Sequence, residues 1–184
     1  MKIVKISGLS VAFALASCGG SAVALKQSEV PPSSGQRDLA REVLSVVNQH
    51  RAKIGQPTLK YHAGLSRMAK KHSDYMRDNA GKFSLQGEMI THYGFDGRAK
   101  FALEKYRVDN LGENVVASRS PETGSAEQIF QGWMKSADHK HNMESDWALT
   151  GISASYGPNG EIFVTQLFGT KPLMTQTVGA PTTW

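Results

Sequence analysis

The apolar positions along the chain fall into three kinds of stretch. The first is continuous. Residues 6–16 are apolar or small apart from Ser7 and Ser10, a run too short to cross a bilayer as a helix, which takes about 20 residues. The second kind repeats at helical spacing. Leu39, Val43, Val46, Val47 and His50 predict an amphipathic helix over 38–52, which Gly55-Gln56-Pro57 stops. Leu65, Met68, Ala69, His72 and Met76 predict a second helix over 63–79, ended by Gly81. Ile129, Phe130, Trp133 and Met134 predict a third over 126–136, with Pro121 ahead of it. The third kind alternates. Residues 151–156 and 162–168 read as two strands around Gly157-Pro158-Asn159-Gly160, a β-hairpin in which Asn-Gly supplies positive φ angles. A short strand over 113–118 and one or two helical turns over 101–106 complete the set. Between them lies a Gly-rich, irregular stretch over 81–98, long enough to read as a functional loop. Helices set apart from an antiparallel hairpin predict the α+β class.

The ends change the picture. Lys2 and Lys5 precede the apolar run and no acid occurs in residues 1–17, which is the form of a secretory signal peptide. Leu15-Ala16-Ser17-Cys18 then resembles the bacterial lipobox, in which the cysteine is lipidated and becomes the new N-terminus. Cleavage after Ala24, behind Ala22-Val23-Ala24, is the alternative. Multiple acyl chains on Cys18 would anchor the protein stably, since one chain alone binds only marginally. The expected location is therefore the cell envelope, as a membrane-anchored lipoprotein, or outside the cell as a secreted protein. Gly19 stands where many Gram-negative lipoproteins carry the Asp that retains them at the inner membrane. That points to an outer-membrane destination in a two-membrane organism. Residues 18–35 read as a flexible tether, 36–170 as the folded domain and 171–184 as a tail.

Composition narrows the classes. The 184 residues suit one domain, and 40% apolar with 20% charged residues is ordinary for a globular one. Cys18 is the only cysteine, so the folded part has no disulfide. The formal charge is +5, of which Lys2 and Lys5 leave with the leader. No block of five or more Lys and Arg occurs, which argues against nucleic acid as a partner.

Four segments carry a resemblance. They are Asn48-Gln49-His50-Arg51-Ala52 with Gly55 and Leu59; His92-Tyr93-Gly94-Phe95-Asp96-Gly97-Arg98; Gly112-Glu113-Asn114-Val115; and residues 132–143, from Gly132-Trp133-Met134 through His139 to Asn142-Met143. In this order they resemble the CAP superfamily of cysteine-rich secretory, antigen 5 and pathogenesis-related proteins, in a bacterial lipoprotein form. The resemblance implies an α-β-α sandwich, a small antiparallel sheet between helical layers. It also implies a surface cavity lined by two histidines and two acids. His92, Glu113 and His139 match three of those positions, and Ser136 stands at the fourth in place of an acid.

Two imidazoles and a carboxylate would suit zinc or another divalent metal, with Ser136 supporting them from outside. The same set could act as an acid–base group or be a structural hydrogen-bond cluster. His50 and His72, on apolar helix faces, read as core histidines, and His62 as a surface or loop residue. His141 is a substitute for His139. Trp133 and Met134 read as core, Asp96 as a loop-shaping residue and Asn142 as a partner of local backbone. No G-x-S-x-G elbow, H-E-x-x-H or phosphate loop is present, so no catalytic residue is assigned. The leading expectation is a non-enzymatic module that binds a lipid or small amphiphile. The alternatives are a metal-dependent or acid–base hydrolase of peptides or envelope polymers, and an interaction or structural protein of the envelope.

Overall fold

The computed structural model describes residues 4–5, 34–80, 92–118 and 124–170. Cys18, nearly all of the expected tether, the 81–91 part of the Gly-rich stretch and the tail lie outside the described residues.

The helical stripes form as the spacing predicts. Helix α1 (Ser34–Lys53) buries Leu39, Val43 and Val47. It starts inside the expected tether, ahead of position 38. A short strand β2 (Lys60–Tyr61) leads into α2 (Ala63–Asp78), where the His62 side chain caps the helix by accepting from the Leu65 amide. The predicted face of α2 is buried: Leu65, Met68, Ala69, His72 and Met76.

Helix α3 (Phe95–Tyr106) corrects two expectations. Residues 95–98 are helical rather than loop, and 101–106 continue the same helix. Gly94 takes φ 73° and turns the chain into it. The buried residues Phe95, Ala99 and Ala102 recur at helical spacing, but two of them are alanines and Gly97 interrupts, so the stripe is weak in sequence. Strand β3 (Asn110–Ser118) is longer than expected. The expected third helix is α4 (Ala126–Met134), opened by a Ser125–Gln128 capping box, and a further helix that the spacing did not predict, α5 (Ala137–Glu144), follows it. The break falls at Ser136, which leaves helical geometry and caps α5. Strands β4 (Leu149–Tyr156) and β5 (Ile162–Gly169) are the hairpin. Its connection runs from Tyr156 to Ile162 with Gly160 at φ 84°, a longer loop than a two-residue Asn-Gly turn.

The sheet order is β1-β3-β5-β4-β2, where β1 is the pair Val4–Lys5. Strands β3, β5 and β4 are antiparallel as expected. The edge strand β2 runs parallel to β4, so the sheet is mixed. Strand β1 lies in the expected leader and pairs with Asn110 and Leu111. On one face α1, α4 and α5 enclose a core around Val43, Phe130, Trp133, Val164 and Phe168. On the other, α2 and α3 enclose Leu65, Phe95, Ala102, Leu111 and Leu167. The α-β-α sandwich is thus built. Helix α2 can lie directly on the sheet because Gly151 of β4 has no side chain, and a Cβ there would overlap the Leu65 and Ser66 backbone.

Candidate functional site

Glu113 opposes Leu167 across β3 and β5, so its side chain faces the α2/α3 layer. There its side chain is 1% exposed and bonded on both oxygens. Arg98 of α3 donates Nε to Oε2 at 2.7 Å and Nη2 to Oε1 at 2.7 Å, a bidentate pair. His92 Nδ1 lies 3.0 Å from Oε1, and His72 Nε2 of α2 lies 3.9 Å from it. Burial alone would push the Glu113 carboxyl up. The hydrogen bond from His92 and the Arg98 charge outweigh that and hold it below the usual carboxylate range.

The motif residues divide this work. Gly94 turns the chain, and Arg98 reaches back to the Tyr93 carbonyl at 2.8 Å, tying the turn that carries His92 to the helix. Asp96 is exposed in the first turn of α3, where a negative charge favours a helix start, rather than shaping a loop. Asn142 Nδ2 donates to the Glu113 carbonyl at 3.1 Å and to Asn114 Oδ1 at 3.0 Å. Asn114 in turn donates to the His139 carbonyl at 3.0 Å. These bonds, with Trp133 Nε1 donating to the Val115 carbonyl at 3.1 Å, fasten α4 and α5 along the outer edge of β3.

His139 is brought to this edge by that fastening. Its ring centroid lies 6.4 Å from that of His92 and 6.5 Å from that of Trp133. Burial, and then the nearby His92, lower its pKa. The Ser136 hydroxyl is turned to the His139 amide at 3.5 Å. It supports the backbone that bears His139. His72 is buried as expected but also faces Glu113, so it belongs to the cluster. His50 is not a plain core residue: its Nε2 meets Glu144 at 2.8 Å. His141 is exposed on α5, and Met134 is only partly buried against the core.

Sequence reasoning missed Arg98 and Arg51. Arg98 stands in the quoted motif, but only the packing of α3 against β3 discloses its partner. Arg51 is fully buried and donates to the carbonyls of Pro57 (2.9 Å), Met143 (2.6 Å), Ser145 (2.8 Å) and Trp147 (3.4 Å).

The donor set does not fit a divalent metal as arranged. Both Glu113 oxygens are committed to a guanidinium, whose charge would repel a second cation at the same carboxylate. Among the described residues no group of three or more His, Cys, Asp or Glu is placed to hold a metal ion.

Beside the cluster, α2 and α3 flank an open groove of about 680 Å³. Met68, Tyr75, Tyr93, Phe101 and Tyr106 give it apolar walls, and His72 and Arg98 join it to the Glu113 cluster. His72 stacks on Tyr75 and Tyr75 on Tyr93, with ring centroids 6.1 and 5.3 Å apart. Volume and lining suit a small organic ligand.

The model of the cysteine-rich secretory protein (CAP) family matches residues 44–168. The chain belongs to the CAP family. Its folded part carries no cysteine, so this member holds the sandwich together without disulfides. Comparison with curated proteins finds no match. Among solved structures, the chain is similar to an extracellular SCP-domain protein from Bacillus anthracis, with 20% identity, 77% of this chain and 45% of that one covered, and a TM-score of 0.55. A cysteine-rich secretory protein from Staphylococcus aureus is similar at 17% identity over 76% of this chain and 41% of that one, with a TM-score of 0.54. An outer surface protein from Borrelia burgdorferi is similar at 15% identity over 73% of this chain and 94% of that one, with a TM-score of 0.55. The chain spans less than half of the first two proteins, and at these identities the likeness is one of fold.

Proposed function

We propose that this CAP-family protein is an exported, lipid-anchored module that binds a single-chain amphiphile in the groove between α2 and α3. The observation that carries the reading is the groove itself: apolar and aromatic walls, room for a small ligand, and a floor built on a charge cluster that is already neutralised. The leader and Cys18 support export and anchoring. So do the extracellular and outer-surface descriptions of the similar Bacillus and Borrelia proteins. The Glu113 cluster then serves as scaffold, since a carboxylate bonded on both oxygens is a poor base. His92, paired through Nδ1 with Glu113, favours acid–base hydrolysis as a second reading. Cleavage of a peptide library that is lost in Glu113→Gln would promote it.

Gly97 lies on α3 and lines the groove, and a Cβ there meets no atom within 4 Å. Gly97→Phe should therefore fill the groove without disturbing the fold, and should gain about 0.5 kcal/mol of helix stability. Calorimetric titration with laurate and with dodecyl maltoside, each below its micellar concentration, is expected to show binding to the wild type and none to Gly97→Phe. Equal binding to both proteins would place the ligand elsewhere.

A further inference from the structure

We infer that Asn159 is a site of spontaneous covalent modification: its side-chain amide closes onto the Gly160 backbone nitrogen and loses ammonia, and Glu161 sets the pace by holding that amide in place. The inference concerns the loop between β4 and β5 and does not depend on the groove. Asn159 is the only asparagine of the chain followed by glycine. With no side chain on Gly160, nothing at its Cα shields its nitrogen from the neighbouring amide. Every other asparagine precedes a residue with a side chain, and Asn114 and Asn142 are also buried. Asn159 is exposed, so base and water reach it.

The loop holds both reacting groups. Gly160 donates its N–H to the Gly157 carbonyl at 3.2 Å, closing a turn with Pro158 and Asn159 at its centre, and itself takes φ 84°. Gly157 donates its own N–H to the Glu161 carbonyl at 2.8 Å. The Glu161 carboxylate then grips Asn159 twice. Its Oε2 accepts from the Asn159 backbone N–H at 3.0 Å, and its Oε1 accepts from Nδ2 at 3.1 Å. Gly157 makes room for this grip, since a Cβ there would overlap the Glu161 carboxylate. The grip opposes reaction in two ways. It anchors the nitrogen that has to leave, so Cγ is kept from swinging onto the Gly160 nitrogen. It also sets a negative charge beside the carbonyl on which negative charge develops.

In the reaction the Gly160 nitrogen gives its proton to solvent base and bonds Cγ. The Cγ–Nδ2 bond breaks, and Nδ2 takes a proton from solvent and leaves as ammonia. The cyclic imide that remains is opened by one water at either carbonyl, to aspartate or to isoaspartate. The net change is amide plus water to carboxylic acid plus ammonia. The new carboxylate has no N–H to give Glu161 and stands beside it as a like charge.

The test ages the purified chain and Glu161→Ala side by side in mildly alkaline buffer, with thermal melts at the start to confirm folding. Peptide mapping by mass spectrometry then follows the change of amide to carboxyl, and fragmentation separates aspartate from isoaspartate. In the wild type, Asn159 should convert before any other asparagine and give both products. In Glu161→Ala the conversion should run about fivefold faster or more, the rate equivalent of one ordinary hydrogen bond. If Glu161→Ala melts markedly lower, Glu161→Gln supplies the same reading, because its single oxygen cannot accept both N–H groups and it carries no charge. Earlier conversion at another asparagine, or an Asn159 that stays intact in both proteins, would overturn the site. An unchanged or slower rate in the Glu161 variants would overturn the control assigned to that carboxylate.

Discussion

Arg51 shows how much one side chain can organise. Its guanidinium is removed from water and spends its donors on four carbonyls from the segments 57 and 143–147. Burial lowers its pKa, and the nearby Asp146 partly offsets that. A buried carbonyl left without a donor costs about 1–3 kcal/mol. Arg51→Met should therefore destabilise the protein by about 3 kcal/mol or more in urea denaturation. Arg51→Lys should recover little, since an ammonium lacks the planar fork that reaches several carbonyls at once. A loss under about 1 kcal/mol, the size of one ordinary hydrogen bond, would mean that water or a rearranged loop satisfies them. The Asn48 clamp on Leu59, which donates to its carbonyl at 3.2 Å and accepts from its amide at 2.8 Å, fixes the same loop from the other side.

Between elements, α2 lies close against β4 of the sheet. Ser66 and Ser73 of α2 donate to the carbonyls of Ile152 and Ser153 at 2.9 and 3.1 Å, contacts that need the helix close to β4. Gly151 makes the room. Gly151→Ala should cost about 3 kcal/mol, at the upper end for overpacking, because the obstacle is backbone that cannot turn aside. Gly132→Ala on α4 is the control: a Cβ there meets nothing within 4 Å. That change should stabilise the protein by about 1 kcal/mol through helix propensity. Thermal melts of the two variants should move in opposite directions, and a neutral Gly151→Ala would show that α2 rides higher than described. The helices with strong apolar stripes, α1 and α2, were legible in sequence. Helix α3 was legible only over 101–106, because its buried face is made largely of alanine. Helix α5 was hidden too, since it buries only Asn142 and Met143 and shows no apolar stripe.

At the scale of the whole molecule, the Glu113 cluster ties α2 and α3 to the sheet and gives stability a pH dependence. The native carboxyl is held below its usual value, so the native state binds fewer protons there than the unfolded chain. The stabilisation is present above the unfolded carboxyl value of about 4.3 and is lost as pH falls through the lower native value. Glu113→Gln should melt lower at pH 7, since Arg98 loses its anion. It should also show a flatter fall in melting temperature below pH 4.5. Parallel acid limbs in the two proteins would assign the acid sensitivity to other groups.

What the sequence by itself determined is the class and membership of the fold: local spacing of apolar residues sets the main helices and the hairpin, and ordered motifs identify the family. These follow from neighbours a few residues apart, whose geometry the backbone dictates. Only the tertiary structure decided that Arg98 bonds both oxygens of Glu113, that His72 joins the cluster, and that α2 and α3 leave an aromatic groove. Each of these depends on side chains from segments distant in the chain, and no local period encodes their meeting.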